Sequence, residues 1–145
     1  NPFWNTTAFF KTSGGHSARV SVFWHVASGG TERGQFYGDK MSFLMSRPGG
    51  QSAMVGYPEP NHRLEPFDTP NFWERLPEPL RRGSGHGGSH TFITHEFVSA
   101  IVEERQPEID VYEAVAYTAP GFYAHESALQ GGKMLRIEDF GRRRT

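Results

Sequence analysis

The chain has 145 residues, with 15 basic and 16 acidic side chains and no cysteine. Its formal net charge of -1 excludes a general attraction to nucleic acid or anionic membranes, and no apolar run approaches the roughly 20 residues of a spanning helix. The lack of cysteine excludes disulfides, thiolate zinc sites and a cysteine nucleophile. We therefore expect one globular domain over residues 1–145. The missing cysteines do not fix the compartment, and the cytoplasm is the expected location.

The first half of the sequence predicts short antiparallel strands. RVSVFWHVA is rich in β-branched and aromatic residues and is followed by a Ser-Gly-Gly turn. Gly38 and Asp39 suit a tight turn between two strands, and Arg47-Pro48-Gly49-Gly50 leads into another strand. Connections this short imply antiparallel pairing. The expected strands are residues 19–27, two within 32–46, and 51–57, with the Ser-Gly-Gly turn at 28–30.

The second half predicts a loop, two helices and a last strand. Residues 58–88 are rich in proline and glycine and are expected to form a long ordered loop. A helix should follow Ser89 as its N-cap and stop at Pro107. The last strand is expected at residues 133–140. The expected fold is α+β, an open-faced, mainly antiparallel sheet with helices covering one face.

Local signals define the second helix more closely. Asp110 is expected to begin it, with Glu113 three residues on as in a capping box, and Gly131 and Gly132 should end it. Pro120 is expected to kink or interrupt it.

The segment GSGHGG, residues 83–88, carries the candidate chemistry and is called the glycine turn below. It matches GxGxxG formally, but no strand precedes it and no β-α-β unit surrounds it, so it does not predict a dinucleotide site. The glycines can instead let the backbone approach a small ligand, and His86 and His90 flank the following helix N-terminus. Histidine donates, accepts or transfers a proton near neutral pH, which suits a hydroxyl-bearing substrate. A tight turn with solvated histidines is the open alternative.

Other polar groupings predict no site. His90 and His95 are five residues apart, a poor fit to one helical face, so no metal is expected. His125-Glu126-Ser127 cannot converge as a triad, because neighbouring helical side chains point about 100° apart. The arginines at 142–144 are expected to form a solvated tail.

Aromatic residues in the first strands exceed what one face of a small sheet needs. An open apolar face is costly in water, so a homo-oligomer that buries this sheet face is expected.

Taken together, FYGDKMSFLMS, GHGGSH and IDVYEAVAYTAPGFYAHESALQGGKMLRIEDF resemble the C-terminal domain of the glucose–fructose oxidoreductase/inositol dehydrogenase/MocA family. In that family an N-terminal Rossmann domain binds NAD or NADP, and the C-terminal domain supplies an open sheet, part of the substrate pocket and the oligomer interface. This chain resembles only the second half, so the resemblance carries over no catalytic, cofactor-binding or metal-binding residue.

The resemblance implies a substrate-binding and oligomerisation domain of an NAD(P)-dependent oxidoreductase acting on a sugar, polyol or related compound, inactive without the Rossmann domain. His86 and His90 are the expected substrate-binding residues, and Arg63 and Asn61 are added from their loop position. Family members with a similar GHGG segment are NAD-dependent glycosidases, which is the first alternative. A free-standing, non-catalytic binding or assembly module is the second.

Overall fold

A computed structural model of the chain describes residues 3–27, 32–59 and 62–141. The chain forms two compact units, residues 1–71 and residues 72–145. The first unit contains antiparallel strands and the second contains two α-helices, so the expected α+β class with open antiparallel sheets is confirmed. The single domain and the covering of one sheet face by helices stay predictions.

A two-stranded hairpin begins the first unit. Strand β1 (Asn5–Lys11) pairs with β2 (Ser17–Phe23) over their whole length, and Thr12 and Gly15 close the turn. The second strand overlaps the expected strand region, but it begins earlier, at Ser17, and ends earlier, at Phe23. Strand β1 was not predicted, although alternate residues of NTTAFFK are half-buried in the manner of a strand with one packed face.

Four further strands form a separate antiparallel sheet in the order β3-β4-β5-β6. The expected turn at Gly38 is confirmed, because its N–H donates to Met41 O at 3.0 Å. The strand at Pro66 falls in the region predicted as loop, and it is the edge strand, where a residue without an N–H is tolerated. The bounds are β3 (Gln35–Tyr37), β4 (Ser42–Leu44), β5 (Ala53–Gly56) and β6 (Leu64–Phe67).

The core of this sheet is a small aromatic cluster on one face. Phe43 lies 6.4 Å from Phe36 and 5.6 Å from Phe67 between ring centroids, the second pair edge to face. Ala53 and Val55 project to the same face and are buried. The opposite face carries further apolar side chains, namely Tyr37, Leu44, Met54 and Leu64, as the aromatic excess predicted.

The second unit opens with three short 3-10 helices, Phe72–Arg75, Glu78–Leu80 and His86–Gly88. Arg81 holds the first two together by donating to Leu76 O at 2.8 Å and to Glu74 O at 3.2 Å. The unit then forms α1 (Ser89–Val102) and α2 (Val111–Leu129).

Helix α2 begins and ends where the sequence predicts. Asp110 is its N-cap and accepts from Glu113 N at 3.0 Å. The Glu113 side chain does not return to complete a capping box, because its carboxylate accepts from Tyr117 Oη at 2.5 Å and raises the pKa of that phenol. Gly131 and Gly132 both have positive φ and bond back to the last helical turn, as a Schellman motif requires.

Two expectations concern the end of the chain. Helix α2 runs through Pro120 without interruption, and a kink at Pro120 stays a prediction. Residues 133–140 form no strand, because no other described segment pairs with them; an alternating pattern alone does not supply a partner. The expected turn at 28–30 and the arginines at 142–144 lie outside the described residues.

Candidate functional site

The glycine turn has an unusual backbone. His86, Gly87 and Gly88 have successive φ values of 55°, 67° and 102°. Glycine adopts such angles at little cost, but a non-glycine residue held there costs about 1–3 kcal/mol. His86 is therefore held in a conformation that only its surroundings can enforce, and such positions cluster at functional sites.

Two glycines of the turn leave room for neighbouring side chains. A Cβ added at Gly85 would lie 2.7 Å from Nδ1 of His90, and one added at Gly88 would overlap the ring of Trp73. These spaces are occupied by the protein's own rings, so they do not form a cradle for a pyrophosphate. The turn therefore does not fit a dinucleotide, and no step of a reaction is assigned to a cofactor in this chain.

The cap of α1 differs from the expected one. The helix begins at Ser89 and its N-cap is the left-handed Gly88, while the Ser89 hydroxyl donates to His86 O at 3.1 Å. The capping oxygen comes from Ser84, whose Oγ accepts from Thr91 N at 3.2 Å and from Thr91 Oγ1 at 2.7 Å. The prediction of Ser89 as the N-cap is therefore wrong, because the side chain that accepts from the first turn of α1 is that of Ser84.

His86 and His90 lie side by side, and their role as a substrate-side pair stays a prediction. Their ring centroids are 4.8 Å apart and both residues are exposed. Within the described residues, no group donates to or accepts from either imidazole. The turn thus presents two neighbouring rings with hydrogen-bonding nitrogens that a polyhydroxy ligand could use.

Trp73 supplies an aromatic support to the glycine turn. Trp73 packs against Gly88, which is buried, and lies 5.2 Å from the ring of Phe92 on α1. Leu76, 3% exposed, is the most buried apolar side chain of this unit. Sequence inspection missed Trp73, since nothing in its local sequence indicates that it packs against a glycine 15 residues further on.

The other two predicted residues, Arg63 and Asn61, fall in the first unit of the chain, whereas the histidines fall in the second. Arg63 belongs to the first unit and pairs with Glu65 at 2.8 Å, both side chains being well exposed. Asn61 lies outside the described residues. A shared site of Arg63 and Asn61 with the histidines stays a prediction.

A second polar cluster, which was not predicted, ties α1 to the segment that leads into α2. Arg105 forms a two-pronged ion pair with Glu96, at 2.7 and 2.9 Å, and also bonds Glu103 at 2.6 Å. Glu96 accepts in addition from Glu108 N at 2.8 Å. The hydrogen bond from Arg105 is the main cause that lowers the pKa of Glu96 to about 2. The charged groups of this cluster satisfy one another's hydrogen bonds, so we interpret the cluster as structural.

An open apolar groove of about 1390 Å³ lies between α1 and the start of α2. Most of its lining side chains are apolar, with Glu96, Gln106, Glu108 and Asp110 among them. Its lining residues are Phe92, Ile93, Glu96, Phe97, Gln106, Pro107, Glu108, Ile109, Asp110, Val111, Tyr112 and Ala114.

In the described part of the chain, no three histidine, aspartate or glutamate side chains come together as metal ligands. None of the helices there has the length and apolar character that a membrane crossing requires.

Comparison with known proteins gives one family. The family model for the glycosyl hydrolase 109 C-terminal domain matches residues 27–145. A glycosyl hydrolase family 109 protein of Solibacter usitatus is 31% identical over 78 residues, 54% of this chain and 18% of that protein. An alpha-N-acetylgalactosaminidase of Tannerella forsythia is 30% identical over 70 residues, 48% of this chain and 15% of that protein. The matched segments span less than a fifth of these relatives. No solved structure matches the chain significantly.

Proposed function

This chain belongs to the glycosyl hydrolase 109 C-terminal domain family, a domain of the expected glucose–fructose oxidoreductase/inositol dehydrogenase/MocA type, and we propose that it is the substrate-side domain of an NAD-dependent glycosidase. The family match over residues 27–145 carries this proposal. It favours the glycosidase alternative over the sugar dehydrogenase that was the leading expectation, because the relatives are described as glycosyl hydrolases.

The proposed substrate is a glycoside with an α-linked N-acetylgalactosamine. The printed activity of the Tannerella forsythia relative supports this choice. In this chain, His86 and His90 are proposed to hydrogen-bond sugar hydroxyls, since their rings are adjacent, exposed and unbonded within the described residues. Arg63 and Asn61 are kept as further proposed sugar contacts.

The cofactor and the rest of the enzyme lie outside this chain in the proposal. NAD, bound by an N-terminal Rossmann domain, would accept and return a hydride at the sugar, as the family resemblance implies. The glycine turn does not fit the dinucleotide, so the histidines act only on the sugar. The exposed apolar groove on α1 and α2 supports packing of this domain against another part of the complete protein.

A homo-oligomer through the open sheet is also part of the proposal. Phe36 and Tyr37 are 65% and 73% exposed on opposite faces of β3. Aromatic side chains left in water on a sheet favour burial in an interface. A strictly monomeric complete protein at micromolar concentration in light scattering would contradict this part.

The reaction is tested with the complete protein, NAD and an aryl α-N-acetylgalactosaminide. Release of the aryl group that requires NAD, without accumulated NADH, is expected because the glycosidase reaction has no net redox change. Steady NADH formation from a free sugar, without glycoside cleavage, would instead establish the dehydrogenase. If neither reaction occurs, the remaining explanation is a non-catalytic binding module.

Single alanine variants test the two histidines. H86A and H90A are each expected to raise KM for the glycoside about two- to tenfold, the worth of one neutral hydrogen bond. T94A is the matched control, because Thr94 is exposed on the same helix and outside the turn. Unchanged KM in both histidine variants would remove them from the sugar site.

A further inference from the structure

Among the described side chains of the glycine turn, the Ser84 hydroxyl makes the most hydrogen bonds. Ser84 Oγ donates to Gly88 O at 3.2 Å and accepts from both the N–H and the hydroxyl of Thr91. A serine hydroxyl has one proton and two lone pairs, so this oxygen has used its full hydrogen-bonding capacity. It therefore acts as a fixed connection inside the protein and is not available to a ligand.

The residues that Ser84 bonds, Gly88 and Thr91, lie on either side of His90 in the sequence. The backbone oxygen of Ser84 accepts from Gly88 N at 3.1 Å, so Ser84 bonds both the N–H and the C=O of Gly88. Its side chain then fixes Thr91, the third residue of α1. His90 lies between these two fixed points, and His86 lies between Ser84 and Gly88.

We propose that Ser84 is a positioning residue that sets the orientation of His90, and with it the His86–His90 pair, for sugar binding. The expected effect on sugar binding rests on the proposed function, whereas the expected effect on the orientation of the His90 ring does not. Next to Ser84, Gly85 leaves the space in which the His90 imidazole lies, only 2.7 Å from where a Cβ would be. A small shift of the turn relative to α1 therefore moves His90 against the backbone.

The test compares S84A, S84T and T94A in the complete protein. S84A removes all three side-chain bonds, S84T keeps a hydroxyl, and T94A removes a hydroxyl from the exposed side of α1. We expect S84A to raise KM for the aryl glycoside about two- to tenfold with little change in kcat, S84T to restore most of this loss, and T94A to change nothing.

A double-mutant cycle separates positioning from a general loss of stability. If Ser84 acts through His90, adding S84A to H90A changes KM by less than about twofold, because the effects of coupled residues are not additive. Additive effects, or an unchanged KM in S84A beside a raised KM in H90A, would overturn the positioning role and leave the proposed function intact.

Histidine NMR gives a reading that needs no substrate. With ¹³C-labelled histidine, the ring signals of His90 are expected to shift in S84A and to stay in place in T94A. Unshifted His90 signals in folded S84A would refute the inference even if the protein proves not to be a glycosidase. Shifted signals with unchanged KM in H86A and H90A would support the positioning of the ring and contradict the sugar site.

Discussion

Helix α1 has a turn at each end, and the two turns use their polar groups in opposite ways. At its C-terminal end, Arg105 and Glu96 bond each other and the adjoining backbone. At its N-terminal end, the serine and threonine hydroxyls are bonded internally, while the imidazoles of His86 and His90 have no partner among the described residues.

The backbone differs less between the two turns. Each turn holds one non-glycine residue at positive φ, His86 at 55° and Glu104 at 52°, and the glycine turn adds Gly87 and Gly88, where such angles cost little. The division between the turns therefore rests on hydrogen bonding. Open donors and acceptors are expected of a binding site, and satisfied ones are expected to contribute to stability alone.

The largest effect that would sharpen this comparison is expected at Gly88. G88A places a Cβ into the ring of Trp73 at a φ of 102°. We expect a loss of about 2–5 kcal/mol in unfolding free energy, from overpacking and the left-handed backbone together. Urea unfolding measures this loss.

The matched control is G87A, which has open space and a φ of 67°. It should lose only the backbone contribution, about 1–2 kcal/mol. Equal losses in the two variants would show that the packing of Trp73 contributes nothing to holding the turn.

A smaller effect is expected at the cap that ends the other turn. D110A removes the side chain that accepts from Glu113 N, and we expect a loss of about 1 kcal/mol of unfolding free energy, with sugar KM unchanged. D110N keeps an accepting oxygen and should lose less. A raised KM in D110A at unchanged stability would break the division between a binding turn and a structural one.

The smallest effect is a change in pH dependence at the ion pair. Folding lowers the pKa of Glu96 from 4.5 to about 2, so its stabilising contribution is complete above pH 4.5 and is lost as pH falls towards 2. R105M removes the main cause, so stability should fall less steeply over that window. R136M, which removes an exposed charge from the same unit, is the control and should keep the wild-type slope. Parallel slopes for R105M and wild type would contradict the assignment.

Sequence reasoning succeeded where the signal is local. The Asp110 cap and the Gly131-Gly132 stop depend on residues within one turn of each other, so they could be read directly. Strand β6 was missed because Pro66 argues against a strand, and only the edge position makes it acceptable. The last strand was wrong because residues 133–140 require a partner that the sequence pattern cannot reveal.

The candidate site shows the same limit. His86 and His90 could be selected from residue type and spacing, and the structure brings their rings together. Ser84 could not be recognised from the sequence as the residue that caps α1, because it lies seven residues before Thr91, whose N–H it accepts from. Arg63 was chosen from loop position alone, and its bond to Glu65 gives it a local partner instead.

Trp73 gives the glycine turn an optical reporter. Its indole packs against Gly88, whereas Trp4 and Trp24 are 65% and 73% exposed. Replacing those two with phenylalanine would leave one emitter from this chain, packed against the glycine turn. In the complete protein, any further tryptophans would need the same replacement. The arrival of a sugar at the turn would then be visible as a change in fluorescence, without labelling or turnover.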